Sequence, residues 1–188
     1  FMKELKPDCL EDIIAGISLY RPGPMAEIPR YISGKRDPKS VEYIVPELEN
    51  ILNVTYGVMV YQEQVMEIVR KLAGYSMGRS DLVRRAMSKK KHKVMEEERK
   101  NFIYGIEDEN GNIEVPGCLR NGISAEAANK IFDSMMDFAS YAFNKSHAAA
   151  YAVIGFQTAY LMRYYPVEFL AAMLNSVMGN SDKVSEYI

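Results

Sequence analysis

A basic stretch between residues 80 and 93 is the part of this sequence best suited to chemistry with anions. The 24 residues from 70 to 93 hold nine Lys and Arg residues and a single acid, Asp81, for a formal charge of +8. The remaining 164 residues carry −10, so the net charge of −2 hides a steep local field. Such a field attracts polyanions: phosphate, nucleotides or nucleic acids.

Read as a helix, the basic stretch places its cations in two groups. Arg85, Lys89 and Lys93 share one face at i, i+4 and i+8, and Arg84 lies about 100° around the axis. Asp81 precedes Arg85 by four residues and can orient its guanidinium. Arginine grips phosphate oxygens in a bidentate way, whereas lysine acts as a point charge. The alternative is an ordinary solvated helix face, but apart from Asp81 the acids appear only after the basic run, at residues 96–98.

A second cluster, Asn144, Lys145, Ser146 and His147, stands at the expected start of a largely apolar helix. Helix N-termini present free N–H groups and a partial positive charge, so they bind anions. The same residues also suit a plain helix cap with a structural histidine, and the sequence leaves both interpretations open.

Two further clusters have weaker signals. Polar residues within 56–66 open a helix and can hydrogen-bond to bases or to a neighbouring segment, although a polar helix start above a core is the simpler interpretation. Residues 20–25, Tyr-Arg-Pro-Gly-Pro-Met, form a rigid turn that can project Arg21 in a fixed direction, or can be only a turn.

Hydrophobic periodicity predicts a mainly α protein of about one domain, with at most a small β-hairpin around residues 107–118. Residues 107–120, acidic and with an Asn-Gly turn signal, are expected to form a surface insertion. Local signals predict a capping box at Asp8 and Glu11, a short strand at Val58–Val60, and helix starts at Ser80, Ser124 and Ser146.

From Tyr61 onward the spacing of apolar residues becomes helical. Val65, Ile68, Val69 and Leu72 fall on one face, and Gly74 is expected to end that helix.

Several kinds of site are not expected. Cys9 and Cys118 lie far apart and outside any CxxC, and the chain has two histidines, so no metal site is predicted and free thiols in a reducing cytoplasm are the expectation. No apolar run approaches the ~20 residues that span a bilayer, so no membrane association is expected. There is no D-x-D and no phosphate-binding GxxxxGK[ST], so we expect no self-contained catalytic site and no cofactor bound by these residues alone.

Five ordered motifs carry a resemblance to a known family. They are YRPGPM at 20–25, YGVMVYQEQVM at 56–66, LVRRAMSKKK at 82–91, FNKSHAAAY at 143–151 and YPVEF at 165–169. Together they resemble the fingers region of the bacterial replicative DNA polymerase III alpha subunit, a C-family polymerase, in its DnaE type. The resemblance covers nearly the whole chain and identifies residues 1–188 as a fingers-domain fragment.

The resemblance implies a helical domain over a polymerase active site, in a cytoplasmic enzyme that adds nucleotides to DNA. Arg84 and Arg85 would contact the triphosphate of the incoming deoxynucleoside triphosphate (dNTP). Template-primer phosphates would meet a wider surface of Arg21, Lys89, Lys90, Lys91, Asn144, Lys145, Ser146 and His147. The palm of the same chain would supply the aspartates that bind Mg²⁺, and replisome subunits such as the sliding clamp would bind regions outside this fragment.

Two alternatives come from the residues themselves. One is a non-catalytic helical module that binds DNA through the basic helix or another subunit through the apolar C-terminal helices. The other is a structural helical domain whose basic face is only solvated.

Overall fold

The computed structural model describes residues 1–89, 92–139 and 141–187, and most of them are helical. The helices, in chain order, are α1 Met2–Leu5, α2 Leu10–Leu19, α3 Ile28–Arg36, α4 Glu49–Leu52, α5 Gln62–Ala73, α6 Met77–Ser88, α7 His92–Tyr104, α8 Gly117–Arg120, α9 Ala125–Ala139, α10 Lys145–Tyr164, α11 Pro166–Val177 and α12 Ser181–Tyr187. Short 3₁₀ turns cover Pro24–Glu27, Pro38–Ser40, Pro46–Leu48 and Asn53–Thr55.

A two-stranded antiparallel hairpin is the β-structure of the described residues. It pairs β1, Ile106–Glu107, with β2, Ile113–Val115. The predicted mainly α fold with a small hairpin is therefore confirmed.

Two hydrophobic cores organise the chain. The larger core lies among α4–α9, and α5 runs through its centre with Ile68, Val69 and Leu72 fully buried. The smaller core lies among α1–α3, residues 58–61 and the first turns of α10. There Ala148 and Ala152 are both fully buried, because small side chains let α10 approach its neighbours closely.

Helix α5 follows its sequence pattern. The predicted apolar face is buried, and Gly74 ends the helix in the left-handed conformation at φ 78°, as expected of a C-terminal glycine. Its neighbour α6 begins earlier than Ser80, where the sequence placed it. Ser76 is the actual cap and accepts the N–H of Arg79 at 3.2 Å, while Ser80 is buried and donates to the carbonyl of Met77.

The predicted cap of α10 is also wrong, by two residues. Asn144, rather than Ser146, precedes the helix, and its side-chain oxygen accepts the N–H of His147 at 2.9 Å. Both asparagine and serine make good caps, so residue preference alone does not choose between them. The predicted cap of α9 is confirmed, since Ser124 Oγ accepts the N–H of Ala127.

Two local predictions are wrong. The Asp8–Glu11 capping box does not form; Cys9 precedes α2, and the Asp12 carboxylate accepts the N–H of Asp8. Residues 58–60 form no strand, because side chains satisfy part of their backbone: Thr55 Oγ1 donates to the carbonyl of Val58, and Gln64 Oε1 accepts the N–H of Val60.

The hairpin segment, residues 107–120, is only partly at the surface. Its tip is exposed, whereas Val115 and Cys118 are buried in the larger core, and burial raises the pKa of the Cys118 thiol to about 12. Gly105 and Gly117 bring the two sides of the segment into backbone contact, each with positive φ. Whether these residues are an insertion relative to other proteins stays a prediction.

The second half of α10 and all of α11 leave large apolar side chains exposed. Helix α11 has no buried residue, and Val167 is 75% exposed. Among the residues that the structure describes, no helix combines the length and the apolar character needed to cross a bilayer.

A buried ion pair ties α2 to α3 inside the smaller core. Lys35 donates to Asp12 and, at 2.9 Å, to Asp8, and Asp12 is 1% exposed. Burial alone would raise the pKa of the Asp12 carboxyl. The hydrogen bonds from Lys35 and from the Asp8 N–H together have a larger effect in the opposite direction, so the net shift of that pKa is downward. The same pairing raises the pKa of Lys35 against the effect of its burial.

We expect Gly105→Ala and Gly117→Ala each to lower the free energy of unfolding by about 3 kcal/mol, combining left-handed strain and overpacking. A Cβ at either glycine would lie 2.3 Å from a backbone atom, Val115 O or Gly105 N. Gly155→Ala, inside α10 with no atom within 4 Å of the new Cβ, is the control. Urea unfolding should show that this control raises the free energy of unfolding by about 0.5–1 kcal/mol. Equal changes in the free energy of unfolding in all three variants would contradict the assigned roles of Gly105 and Gly117.

We expect Asp12→Ala to lower the free energy of unfolding by about 3–5 kcal/mol at pH 7, because it leaves Lys35 buried without its main partner. A carboxyl whose pKa is depressed on folding stabilises above its unfolded value of about 3.9, and that contribution is lost as pH falls through the folded pKa. Urea unfolding at a series of pH values should therefore show the difference from the parent shrinking below pH 4.

Glu126→Gln, which alters an exposed pair with Lys130, is the control for this series and should change stability little. A deficit in Asp12→Ala that stays constant down to pH 2 would contradict the assigned role of the pair.

Candidate anion-binding site

Residues 141–145, the bridging segment, bring the four sequence clusters together. The segment connects α9 to α10 and crosses the start of α5, where the N–H of Gln62 donates to the carbonyl of Phe143 at 2.9 Å. An isolated parallel bridge joins Tyr61 to Phe143 at the same point. Contacts from the turn at 20–25 and from α6 reach this crossing, so motifs up to 120 residues apart in sequence share one surface.

Arg21 holds the bridging segment from one side. Its guanidinium donates to the carbonyl of Tyr141 at 2.7 Å and to that of Ser18 at 3.2 Å, and it lies 4.2 Å from the centre of the Phe143 ring. Burial lowers the pKa of Arg21. Gly23, at φ 104°, approaches the Tyr141 ring so closely that a Cβ would lie 3.1 Å from it. The rigid turn thus aims Arg21 at backbone carbonyls and an aromatic ring.

Glu63 occupies the N-terminus of α10. Both of its carboxylate oxygens accept the N–H of Lys145 at 3.1 Å, and one accepts the Asn144 amide at 3.1 Å. The Lys145 ammonium pairs with Glu11 at 3.0 Å and lies 5.2 Å from the Tyr61 ring centre. The position where the sequence allowed an external anion is therefore filled by a carboxylate of the chain itself.

Asp81 binds both arginines of the basic stretch. Its Oδ1 accepts from Arg84 at 2.6 and 2.9 Å, and its Oδ2 accepts from Arg85 at 2.7 Å. The hydrogen bond from Arg84, helped by the charge of Arg85, lowers the pKa of the Asp81 carboxyl. The expectation that Asp81 orients Arg85 is confirmed, and Arg84 is held by the same carboxylate.

The two arginines differ in exposure. The Arg85 side chain is 64% exposed, whereas that of Arg84 is 28% exposed and also donates to Gln62 Oε1 at 3.1 Å. Lys89, which follows α6, is exposed as well. The predicted single helix face through Arg85, Lys89 and Lys93 is wrong, because α6 ends at Ser88 and Lys93 belongs to α7. Lys90 and Lys91 lie outside the described residues.

Ser146 and His147 are exposed in the first turn of α10. The His147 ring lies 5.6 Å from that of Phe143 and 4.8 Å from that of Tyr151, centre to centre. Of the predicted wider surface, Ser146, His147 and Lys89 thus face solvent, while Arg21, Asn144 and Lys145 make contacts within the protein.

Gln62 and Glu63, which the sequence did not mark individually, connect the clusters to one another. Gln62 links Arg84 to the bridging segment, and Glu63 caps α10. Their signal was present in the polar start of α5, where hydrogen bonding to a neighbouring segment was one of two interpretations.

Helix α6 is also held by α7. Glu98 of α7 accepts from Arg79 at 2.8 Å and from the Tyr75 hydroxyl at 2.9 Å.

Residues Asp8, Cys9 and Asp12 form the one group of potential metal ligands found among the described residues. The Lys35 ammonium already donates to both carboxylates, and a thiol is a poor ligand for Mg²⁺. These residues therefore do not fit the magnesium ions that the resemblance implies.

Comparison with a family model gives a match over residues 1–110 to the finger domain of the bacterial DNA polymerase III alpha subunit. The match includes the turn at 20–25, the start of α5 and the basic helix α6.

Relatives match the whole chain. The DNA polymerase III subunit alpha of Bacillus subtilis is 47% identical over 187 residues, that of Thermus aquaticus is 47% identical over 192, and that of Rickettsia prowazekii is 48% identical over 187. Each comparison covers 100% of this chain but only 15–16% of the relative. The chain belongs to the family of bacterial DNA polymerase III alpha subunit finger domains.

Proposed function

We propose that this domain binds the triphosphate of the incoming dNTP within a complete DNA polymerase chain. One observation carries the proposal: a single carboxylate, Asp81, holds two consecutive arginines at the surface of α6. Two guanidinium groups offer several N–H donors in fixed directions, which matches the clustered oxygens of a triphosphate.

Charge supports this assignment. A triphosphate carries about four negative charges, and phosphoryl transfer depends on positioning and charge stabilisation more than on covalent help. Asp81 offers a single negative charge, so a triphosphate competes well for Arg85, the more exposed partner. Arg84 keeps its direction through Gln62 while this exchange takes place.

The wider basic surface would bind template-primer phosphates. Lys89 is exposed beside the arginines, and Ser146 and His147 are exposed across the bridging segment. We assign Lys90 and Lys91 to this surface from sequence alone. Arg21, Asn144 and Lys145 would contribute mainly by holding the segment in place, since their polar groups already bind the protein.

Nucleotide addition itself would need residues outside this chain segment. We propose that the palm of the same polypeptide supplies aspartates and Mg²⁺, which would activate the primer hydroxyl and stabilise the leaving pyrophosphate. The fingers residues would orient the triphosphate when the domain closes. A cytoplasmic replicase that contacts a sliding clamp through other regions is the setting that fits this proposal.

A second candidate is binding of the DNA backbone by α6 without nucleotide contact. The exposure of Arg85 and Lys89 favours it, because exposed cations near a duplex neutralise phosphates and release counterions. The two functions differ in which ligand loses affinity when an arginine is removed.

We expect Arg84→Ala and Arg85→Ala in the full-length polymerase subunit each to raise the KM for dNTP by about tenfold or more, or to lower kcat similarly. The reason is that each removes a charge-assisted hydrogen bond to phosphate, worth about 1.5–3 kcal/mol. Steady-state incorporation of one nucleotide on a primer-template measures both constants.

Lys130→Ala is the control, since Lys130 is exposed on α9 and pairs with Glu126. The control should leave both constants unchanged, and thermal unfolding should show all three variants folded. Normal kinetics in both arginine variants would overturn the proposal. Weakened, salt-sensitive primer-template binding with an unchanged KM for dNTP would assign α6 to the DNA backbone instead.

A further inference from the structure

We infer that Gln62 is a positioning residue that fixes the direction of Arg84 toward the nucleotide. This inference rests on the proposed function. It adds a role for Gln62, which lies outside the motif at residues 82–91 that contains the arginines. The geometry that supports it is a relay: Arg84 donates to Gln62, and Gln62 donates to the bridging segment.

The orientation of the Gln62 amide is determined by its two partners. Arg84 has only donors, so the atom it meets at 3.1 Å must be the amide oxygen. The amide nitrogen then donates to the carbonyl of Ala142 at 3.3 Å. A flipped amide would set donor against donor and oxygen against oxygen, so the relay has one arrangement.

The backbone of Gln62 is held independently of its side chain. Its N–H donates to the carbonyl of Phe143 at 2.9 Å, at the first position of α5. The opposite side of the bridging segment is held by Arg21 at Tyr141. The position of Gln62 Oε1 is therefore set by the bridging segment and the start of α5, and not by α6, the helix that carries Arg84.

Arg84 and Arg85 consequently differ in how firmly their side chains are held. Arg84 is held from two sides, by Asp81 and by Gln62, with 28% of its side chain exposed. Arg85 pairs with Asp81 Oδ2, and its side chain is 64% exposed. We assign Arg84 the role of a pre-oriented contact and Arg85 the role of a contact that turns to meet the ligand.

The inference predicts selective coupling between Gln62 and one arginine. If Gln62 acts through Arg84, removing its hydrogen bonds will weaken dNTP binding only while Arg84 is present. A general packing role would lower activity in any background. Methionine has nearly the shape of glutamine without its hydrogen bonds, so Gln62→Met tests hydrogen bonding with little change in packing.

The experiment is a double-mutant cycle in the full-length polymerase subunit, read as KM and kcat for one incorporated nucleotide. Gln62→Met is combined with the parent, with Arg84→Ala and with Arg85→Ala. We expect the KM for dNTP to rise about tenfold in the parent and Arg85→Ala backgrounds and less than about twofold with Arg84→Ala. Glu67→Gln, on the exposed side of α5 where Glu67 pairs with Lys71, should leave both constants unchanged.

Three results would overturn the inference. The first is a Gln62→Met effect of equal size in both arginine backgrounds. The second is an unchanged KM for dNTP when Gln62→Met is made in the parent, although Arg84→Ala raises that KM. Either of these two results leaves the proposed function standing. The third is a normal KM in Arg84→Ala and Arg85→Ala alike, which rejects the proposed function and the inference with it. Thermal unfolding of each variant separates these results from loss of the fold.

Discussion

The binding of the bridging segment to the start of α5 is the interaction on which the rest of this structure depends. The two cores are separate clusters of buried side chains, and the family motifs are divided between them. Gln62 and Glu63 join them with hydrogen bonds to the carbonyls of residues 142 and 143 and to the amides of residues 144 and 145. Through that crossing, one short stretch of α5 contacts both Arg84 of α6 and the start of α10.

Carboxylates of the chain itself occupy the donors at both candidate anion sites: Asp81 on α6 and Glu63 at the start of α10. Exposed cations beside their own carboxylates contribute little to stability, since solvent screens each pair. Their value is in direction: Asp81 holds two guanidinium groups toward one edge of α6, and Glu63 neutralises the N-terminus of α10. The donors of Arg85 on α6 remain accessible, whereas the N–H of Lys145 at the start of α10 is already bonded to Glu63. The sequence allowed an anion site at both clusters, each beside a plainer interpretation, and the structure favours the plainer one for α10.

How much the sequence predicts depends on the range of the interaction. The apolar face of α5 and its closure at Gly74 follow from neighbouring residues, and both are correct. The predicted starts of α6 and α10 are wrong because two possible caps lie within a few residues of each other, Ser76 and Ser80 in one case and Asn144 and Ser146 in the other. The predicted strand at 58–60 fails because Thr55 and Gln64 satisfy its backbone.

Contacts between distant residues were beyond prediction from spacing. Glu63 and Asn144 are 81 positions apart, and nothing in either local pattern names the other. The burial of the Asp12–Lys35 pair is similar, since each residue alone is typical of a solvated surface. The family motifs contain these residues, but only the fold shows that Arg21 is bound to backbone carbonyls and that Arg84 and Gln62 are in contact.

The most direct measurement is a structure of the complete polymerase subunit with primer-template DNA and an incoming, non-reactive dNTP analogue. The account predicts guanidinium nitrogens of Arg84 and Arg85 within about 3.2 Å of triphosphate oxygens, with Arg84 still bonded to Gln62. A triphosphate bound elsewhere, with both arginines paired to Asp81 and facing solvent or the DNA backbone, would contradict it.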